Sequence, residues 1–212
     1  MKRNFIFSLV AIAGIFAFPS CTKEPLDNLT EEESRIYITN HDSTASFSSY
    51  KTFSIVDTVS VIDNSRLSAK ELTAWDARVI NALRSQMQSR GFMEVDRDSN
   101  PDLGINVSRL YNTYSGIVSY PNYWGGYNDF YDPFYWGYGG YNYNFPPSYG
   151  VYQVTEGALS IDMLDLKNAA TTNQIKGVWN GLVRGTGIFR NNNVDAQVQV
   201  LFDQSPYLRT NQ

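Results

Sequence analysis

The sequence predicts an α+β fold: a mainly antiparallel sheet, one long and one short helix packed on one of its faces, and an aromatic Tyr/Gly-rich loop inserted between strands. Three observations carry this expectation. Several short stretches alternate apolar and polar residues with a period of two. One longer stretch, starting near Ser68, places apolar residues three and four apart. The elements run strand–strand–helix–strand–strand–strand–strand–helix, an order that suits helices gathered on one side of a sheet.

The elements follow in chain order. RIYITNH, residues 35 to 41, has period-two apolarity and reads as the first strand. A polar turn, DSTAS, leads to FSSYKTFSIVD, residues 47 to 57, where Phe53 and Ile55 share one face of a second strand. Ser68 and Glu71 have the S-x-x-E spacing of a capping box, in which each side chain satisfies a backbone amide of the first helical turn. Leu72, Trp75, Val79, Leu83 and Met87 then form one apolar stripe, and Gly91 stands where a left-handed residue closes a helix. GFMEV (91 to 95) and LGINVSRLY (103 to 111) are the next strands, separated by the turn-forming DRDSNPD. After the aromatic loop come VYQVTEGALSIDMLDL (151 to 166) and KGVWNGLVRGTGIF (176 to 189), a hairpin across NAATTNQ. Leu159, Ile161 and Met163 alternate with Ser160 and Asp162, so one face of that strand is expected to be buried and the other wet. VDAQVQVLF, 194 to 202, closes the domain as a short helix before Pro206.

The chain starts MKRNFIFSLVAIAGIFAFPSC. Lys2 and Arg3 precede an apolar run, Phe5 to Phe18, of about 14 residues. As a helix it spans about 21 Å, short of the ~30 Å hydrocarbon core, and so fits a cleaved signal rather than a permanent span. Cys21, the only cysteine, follows directly and resembles the lipobox of bacterial lipoproteins, although Phe18 and Pro19 depart from its usual pattern. That resemblance implies a signal peptide over 1–20, acylation of Cys21, and attachment to the membrane through N-terminal acyl chains. Thr22, in the position where aspartate signals inner-membrane retention, points to the outer membrane, facing the periplasm or the cell surface. Residues 21–34 are acidic and aperiodic and read as a tether to a single domain over 35–208.

The formal net charge is −4. Loss of residues 1–20 with Lys2 and Arg3 makes it −6. An acidic domain has no basic footprint, which argues against nucleic acid as a partner.

Family-like motifs stand in order: YKTF at 50 to 53, a long helix ending in RGF, NPDLGINV at 100 to 107, GALSIDMLD at 157 to 165, VWNG at 178 to 181, and a terminal helix before a proline. Together they are similar to the bacterial lipoprotein family catalogued as domain of unknown function 4136, over roughly residues 35 to 208. The resemblance implies a fold and an envelope location and brings no catalytic residues.

The lone cysteine is the expected acylation site, and His41, the only histidine, sits beside Asp42 where a turn residue is the plain reading. The chain lacks clustered His and Cys ligands for zinc, and GLVRGTG has neither a Walker lysine nor dinucleotide spacing. No cofactor is expected. Among carboxylates, Asp162 and Asp165 are three apart on a strand and point to opposite faces. Asp129 and Asp132 could approach each other across a turn, which keeps a carbohydrate-active hydrolase as the alternative to a non-enzymatic domain.

The aromatic insertion, 112–150, is the unusual feature. Twelve of the fifteen tyrosines lie from Tyr111 to Tyr152, with Trp124 and Trp136, and that span has no lysine or arginine. Stacking on single-stranded nucleic acid needs cations for the backbone, so that use is excluded. Three readings stay open: rings packed over the outer face of the sheet, rings at the membrane headgroup level, or a binding surface. Tyr, Gly, Asn and Ser are the residues of adaptable binding surfaces, for glycan or an envelope protein. On the binding reading the ligand residues are Tyr123, Trp124, Tyr127, Tyr131, Tyr135, Trp136, Tyr138 and Tyr141.

Overall fold

A computed structural model describes residues 29–63, 66–111, 116–119, 133–144, 151–154, 157–190 and 193–210. The expected signal, Cys21 and most of the tether lie outside the described residues. The chain divides into two units, 1–30 and 31–212, and every element below belongs to the second. Among the described residues no helix is long and apolar enough to cross a membrane.

The architecture is α+β. In chain order the elements are β1 (Ile36–His41), β2 (Thr52–Ile55), β3 (Val59–Asp63), β4 (Arg66–Glu71), α1 (Ala74–Ser89), β5 (Met93–Glu94), β6 (Leu103–Tyr111), β7 (Gly116–Ser119), β8 (Asn142–Asn144), β9 (Val151–Val154), β10 (Ala158–Asp165), α2 (Ala169–Thr172), β11 (Gln174–Arg184) and α3 (Val194–Asp203). Nine strands form one sheet in the order β1-β11-β10-β6-β2-β5, with β3 beside β6, β4 beside β3 and β8 beside β11. β7 and β9 form a separate antiparallel ribbon at the base of the insertion.

The sheet is mainly antiparallel, as expected, but mixed rather than purely so. β10 pairs antiparallel with β6 and β11, and β1 with β11. β2 and β3 instead both run parallel to β6, and β5 runs parallel to β2. The helix explains this: the chain leaves β2, makes the β3–β4 hairpin, and crosses through α1 to return beside β2 in the same direction, as parallel neighbours require.

Helix α1 starts later than expected. RLSAKE, 66 to 71, alternates outward and inward and pairs as β4 with β3, so the S-x-x-E spacing caps nothing. The cap is Thr73, whose Oγ1 accepts from Asp76 N–H at 3.2 Å while Asp76 Oδ2 accepts from Thr73 N–H at 2.8 Å. Leu72 is exposed, whereas Trp75, Val79, Leu83 and Met87 are buried as the stripe requires. At the other end Gly91 has φ 91°, Gly91 N–H bonds Gln88 O and Phe92 N–H bonds Met87 O, closing a Schellman motif.

α1 and α3 pack on one face of the sheet over Phe53, Leu103, Ile105, Val107, Leu159, Ile161, Met163 and Trp179, with Val198, Leu201 and Phe202 from α3. Arg90 at the end of α1 donates to Phe202 O at 2.7 Å and Ser205 O at 3.2 Å, tying the two helices together.

The opposite face departs from expectation. All eight residues of β10 are buried, so neither of its faces is wet. On the face turned away from the helices stand Asn106, Ser108, Ser160, Asp162 and Asn180, all between 0 and 2% exposed. Asp162 is the Cα partner of Asn180 on one side and of Asn106 on the other, so an Asn–Asp–Asn rung crosses three strands. Asn180 Nδ2 donates to Asp162 Oδ1 at 2.7 Å and to Ser160 Oγ at 3.1 Å, which offsets part of the cost of burying them.

Candidate functional site

Residues 133–144 of the aromatic insertion lie on this opposite face of the sheet. Pro133–Trp136 forms a 3-10 turn and Asn142–Asn144 adds β8 in parallel to the start of β11. Trp136 is 5% exposed and packs with Leu164, Leu166, Ala169 and Ile175. It packs against Gly104: a Cβ there would stand 3.0 Å from indole carbons and 2.9 Å from Leu166 Cδ1. A glycine at the second position of β6 thus gives the ring its seat.

The tyrosines of this segment are half-buried around Trp136. Tyr138 donates to Leu166 O at 3.0 Å, and its ring centroid is 5.4 Å from that of Tyr141. Tyr135 meets Trp136 edge-to-face, with centroids 4.9 Å apart and planes at 87°. Its hydroxyl oxygen accepts from Asp57 N–H at 3.1 Å. Burial raises the Tyr135 phenol above its ordinary value, and Asp57 acts on it in both directions, its N–H lowering and its carboxylate raising it. Phe134, by contrast, is 74% exposed. Tyr123, Trp124, Tyr127, Tyr131, Asp129 and Asp132 lie outside the described residues.

Tyr135 also stands on the wall of a groove of about 940 Å³. The groove opens at the carboxyl ends of the parallel strands β2 and β5, where the chain leaves through 56–58 and 95–100. Polar groups line it: Ser54, Asp57, Gln88, Glu94, Asp96 to Ser99, and the Tyr135 ring. Glu94 is held by Arg84 Nε at 2.6 Å. Arg97 lies over the Tyr135 face, 4.6 Å from its centroid, and meets Asp98 at 3.4 Å in an exposed pair. Asp96 opens the 3-10 turn Arg97–Ser99 without a side-chain cap bond. None of these groove residues except Tyr135 is among the expected ligands. DRDSNPD reads as a turn, which it is, and nothing local in it announces that β5 and β2 will set it against a ring some forty residues on.

His41, Asp162 and Asp165, weighed above for catalysis, have structural employment, as do the buried ionisable groups near them. His41 ends β1 with its ring 4.2 Å from that of Tyr207. Asp162 belongs to the buried rung, while Asp165 accepts from Asn168 Nδ2 at 2.7 Å and from Asn168 N–H at 3.0 Å. Burial first, then Asp165, pushes the Tyr50 phenol well above its ordinary value. Asp76, fully buried, pairs with Arg109 Nε at 3.1 Å while it caps α1. Arg109 also meets Glu71, fixing the start of the helix to β6.

Comparison with known proteins gives a family and a fold. The model of the family described as Domain of unknown function (DUF4136) matches residues 38–207. Among solved structures, a DUF4136 family protein from Bacteroides thetaiotaomicron is 26% identical, with a TM-score of 0.69 over 83% of this chain and 98% of that one. A PelC dodecamer from Paraburkholderia phytofirmans is 10% identical, with a TM-score of 0.40 over 84% of this chain and 99% of that one. No curated protein matches.

Proposed function

This chain belongs to the DUF4136 family, and on that premise we propose that it is a lipid-anchored, non-enzymatic domain of the cell envelope that presents a tyrosine-rich surface to a glycan or protein partner. The observation that carries the reading is the dual placement of the insertion. Trp136 is sunk against the sheet, and the tyrosines around it are held by packing and hydrogen bonds with part of each ring outward. Rings already fixed lose little freedom on binding, which is where such surfaces gain affinity. The anchor rests on the leader and Cys21, a short apolar run ending at the chain's only thiol.

Two experiments test the two halves. Cys21→Ala should move the protein from the membrane fraction to the soluble one, and persisting membrane association contradicts the anchor. In pull-downs on peptidoglycan, purified envelope glycans and envelope proteins, the whole protein should be retained. A variant with Tyr123, Trp124, Tyr127, Tyr131 and Tyr135 changed to alanine should pass through. Equal retention of both contradicts the binding surface.

A further inference from the structure

We infer that the groove beside Tyr135 is a saccharide subsite, taking a hydroxyl-rich chain that carries no negative charge. The inference rests on the reading that the insertion is a binding surface, and it assigns the ligand class and the residues. Its volume, about 940 Å³, falls within the ~300–1,000 Å³ of small-ligand sites. It lies at the carboxyl ends of two parallel strands, the position where open sheets with parallel strands bind ligands because the loops leave a crevice there.

The lining has the chemistry of sugar recognition. Asp57, Asp96 and Asp98 offer carboxylate oxygens to hydroxyl donors, in the charge-assisted bonds that are stronger than neutral ones. Ser54, Ser99 and Gln88 can both donate and accept. Tyr135 supplies a flat apolar face, fixed at its hydroxyl by Asp57 and at its edge by Trp136. That face now carries the Arg97 guanidinium at 4.6 Å. A pyranose presents C–H bonds of slight positive character on its flat side and can take the same place. Arg97 is held besides by an exposed pair with Asp98, and exposed pairs are worth little, so it yields readily. Charge selects the class: with Glu94 neutralised by Arg84, three carboxylates face one guanidinium, and a polyanionic chain is repelled.

The test is titration of the whole protein with a panel of neutral oligosaccharides (chito-oligosaccharide, β-glucan and mannan fragments) and with oligogalacturonate. At least one neutral chain should bind and oligogalacturonate should not. Tyr135→Ala should weaken binding about tenfold or more, and Tyr135→Phe, which keeps the ring, should weaken it far less. The exposed double change Asp96→Asn with Asp98→Asn should weaken binding several-fold without lowering the melting temperature, and it serves if Tyr135→Ala disturbs packing. Binding that is indifferent to both Tyr135→Ala and the double change overturns the subsite while leaving the binding surface standing. Oligogalacturonate bound as tightly as the neutral chains overturns the charge argument and with it the ligand class. Retention in the pull-downs above of envelope proteins alone, with no glycan bound there or in titration, overturns the subsite; failure to retain any partner removes the binding reading itself.

Discussion

The two faces of the central strands β6 and β10 are both buried but differ in what fills them. On the helix face, Leu103, Ile105, Val107, Leu159, Ile161 and Met163 meet the apolar stripes of α1 and α3. On the other, Asn106, Ser108, Ser160, Asp162 and Asn180 lie under 3% exposed, with Trp136 seated one rung away on Gly104. The first face is a conventional apolar core. The second needs its polar groups to satisfy one another, and it does so incompletely: Asn106 Nδ2 and Asn180 Oδ1 find no hydrogen-bond partner among the described residues. An apolar face gains stability from any well-fitting methyl group, whereas a buried polar face gains only from correct pairing.

That difference sets the expected size of each perturbation. Trp179, fully buried on the helix face with its Nε1 donating to Ser205 Oγ at 2.9 Å, should be the costliest to truncate. Trp179→Ala should lose about 3–5 kcal/mol in urea unfolding, the range for large core truncations. A loss under 1 kcal/mol would show that the helix face is not the dominant core. On the polar face, Asp162→Ala removes the nearest of three acceptors of Asn180 Nδ2 and an acceptor of the Ser160 hydroxyl, and should cost about 1–3 kcal/mol, the range for losing buried hydrogen bonds. A neutral or stabilising result would place water on that face and undo the contrast.

A smaller effect is expected where the loop after β1 meets the start of β11. Burial pushes the Asp42 carboxyl up, but the Lys176 ammonium and the Thr44 hydroxyl and N–H outweigh it and hold the group below its ordinary value. A depressed carboxylate contributes stability that is complete above its unfolded value and is lost as pH falls through the folded one. Lys176 is 41% exposed, so solvent discounts its share to about 1 kcal/mol or less. Lys176→Met should therefore unfold slightly more easily at pH 7 and lose less stability between pH 5 and pH 2 than the parent. Identical acid profiles would mean that Lys176 does not stabilise the Asp42 carboxylate.

What the sequence makes legible follows the same division. The long helix, β6 over 103–111 and the closing helix are plain because their apolar residues keep a helical or two-residue period against a single core. The start of α1 is misread because S-x-x-E at 68 to 71 and T-x-x-D at 73 to 76 are both good caps, and only the pairing of β4 with β3 decides between them. Parallel β2 and β3 are invisible locally, since a strand does not state its direction. The polar residues of β10 read as wet because alternation reports polarity rather than exposure. Tyr135 and Trp136 stand out by composition, yet their division of labour comes from Gly104, whose missing side chain is informative only once β6 and the insertion are brought together. The groove residues Asp57, Asp96 and Arg97 carry no motif and meet through the β2–β5 pairing alone.

Packing around Trp136 and the pairing of β8 with β11 make segment 133–144 a fixed layer of the sheet. Native-state hydrogen exchange measures this directly. The Tyr138 amide, bonded to Pro133 O at 2.9 Å, and the amides of the β8–β11 ladder around Tyr143 and Ile175 should exchange many-fold more slowly than unstructured peptide. Exchange of Tyr138 and Tyr143 at the unprotected rate, with β10 and α1 protected, would contradict it.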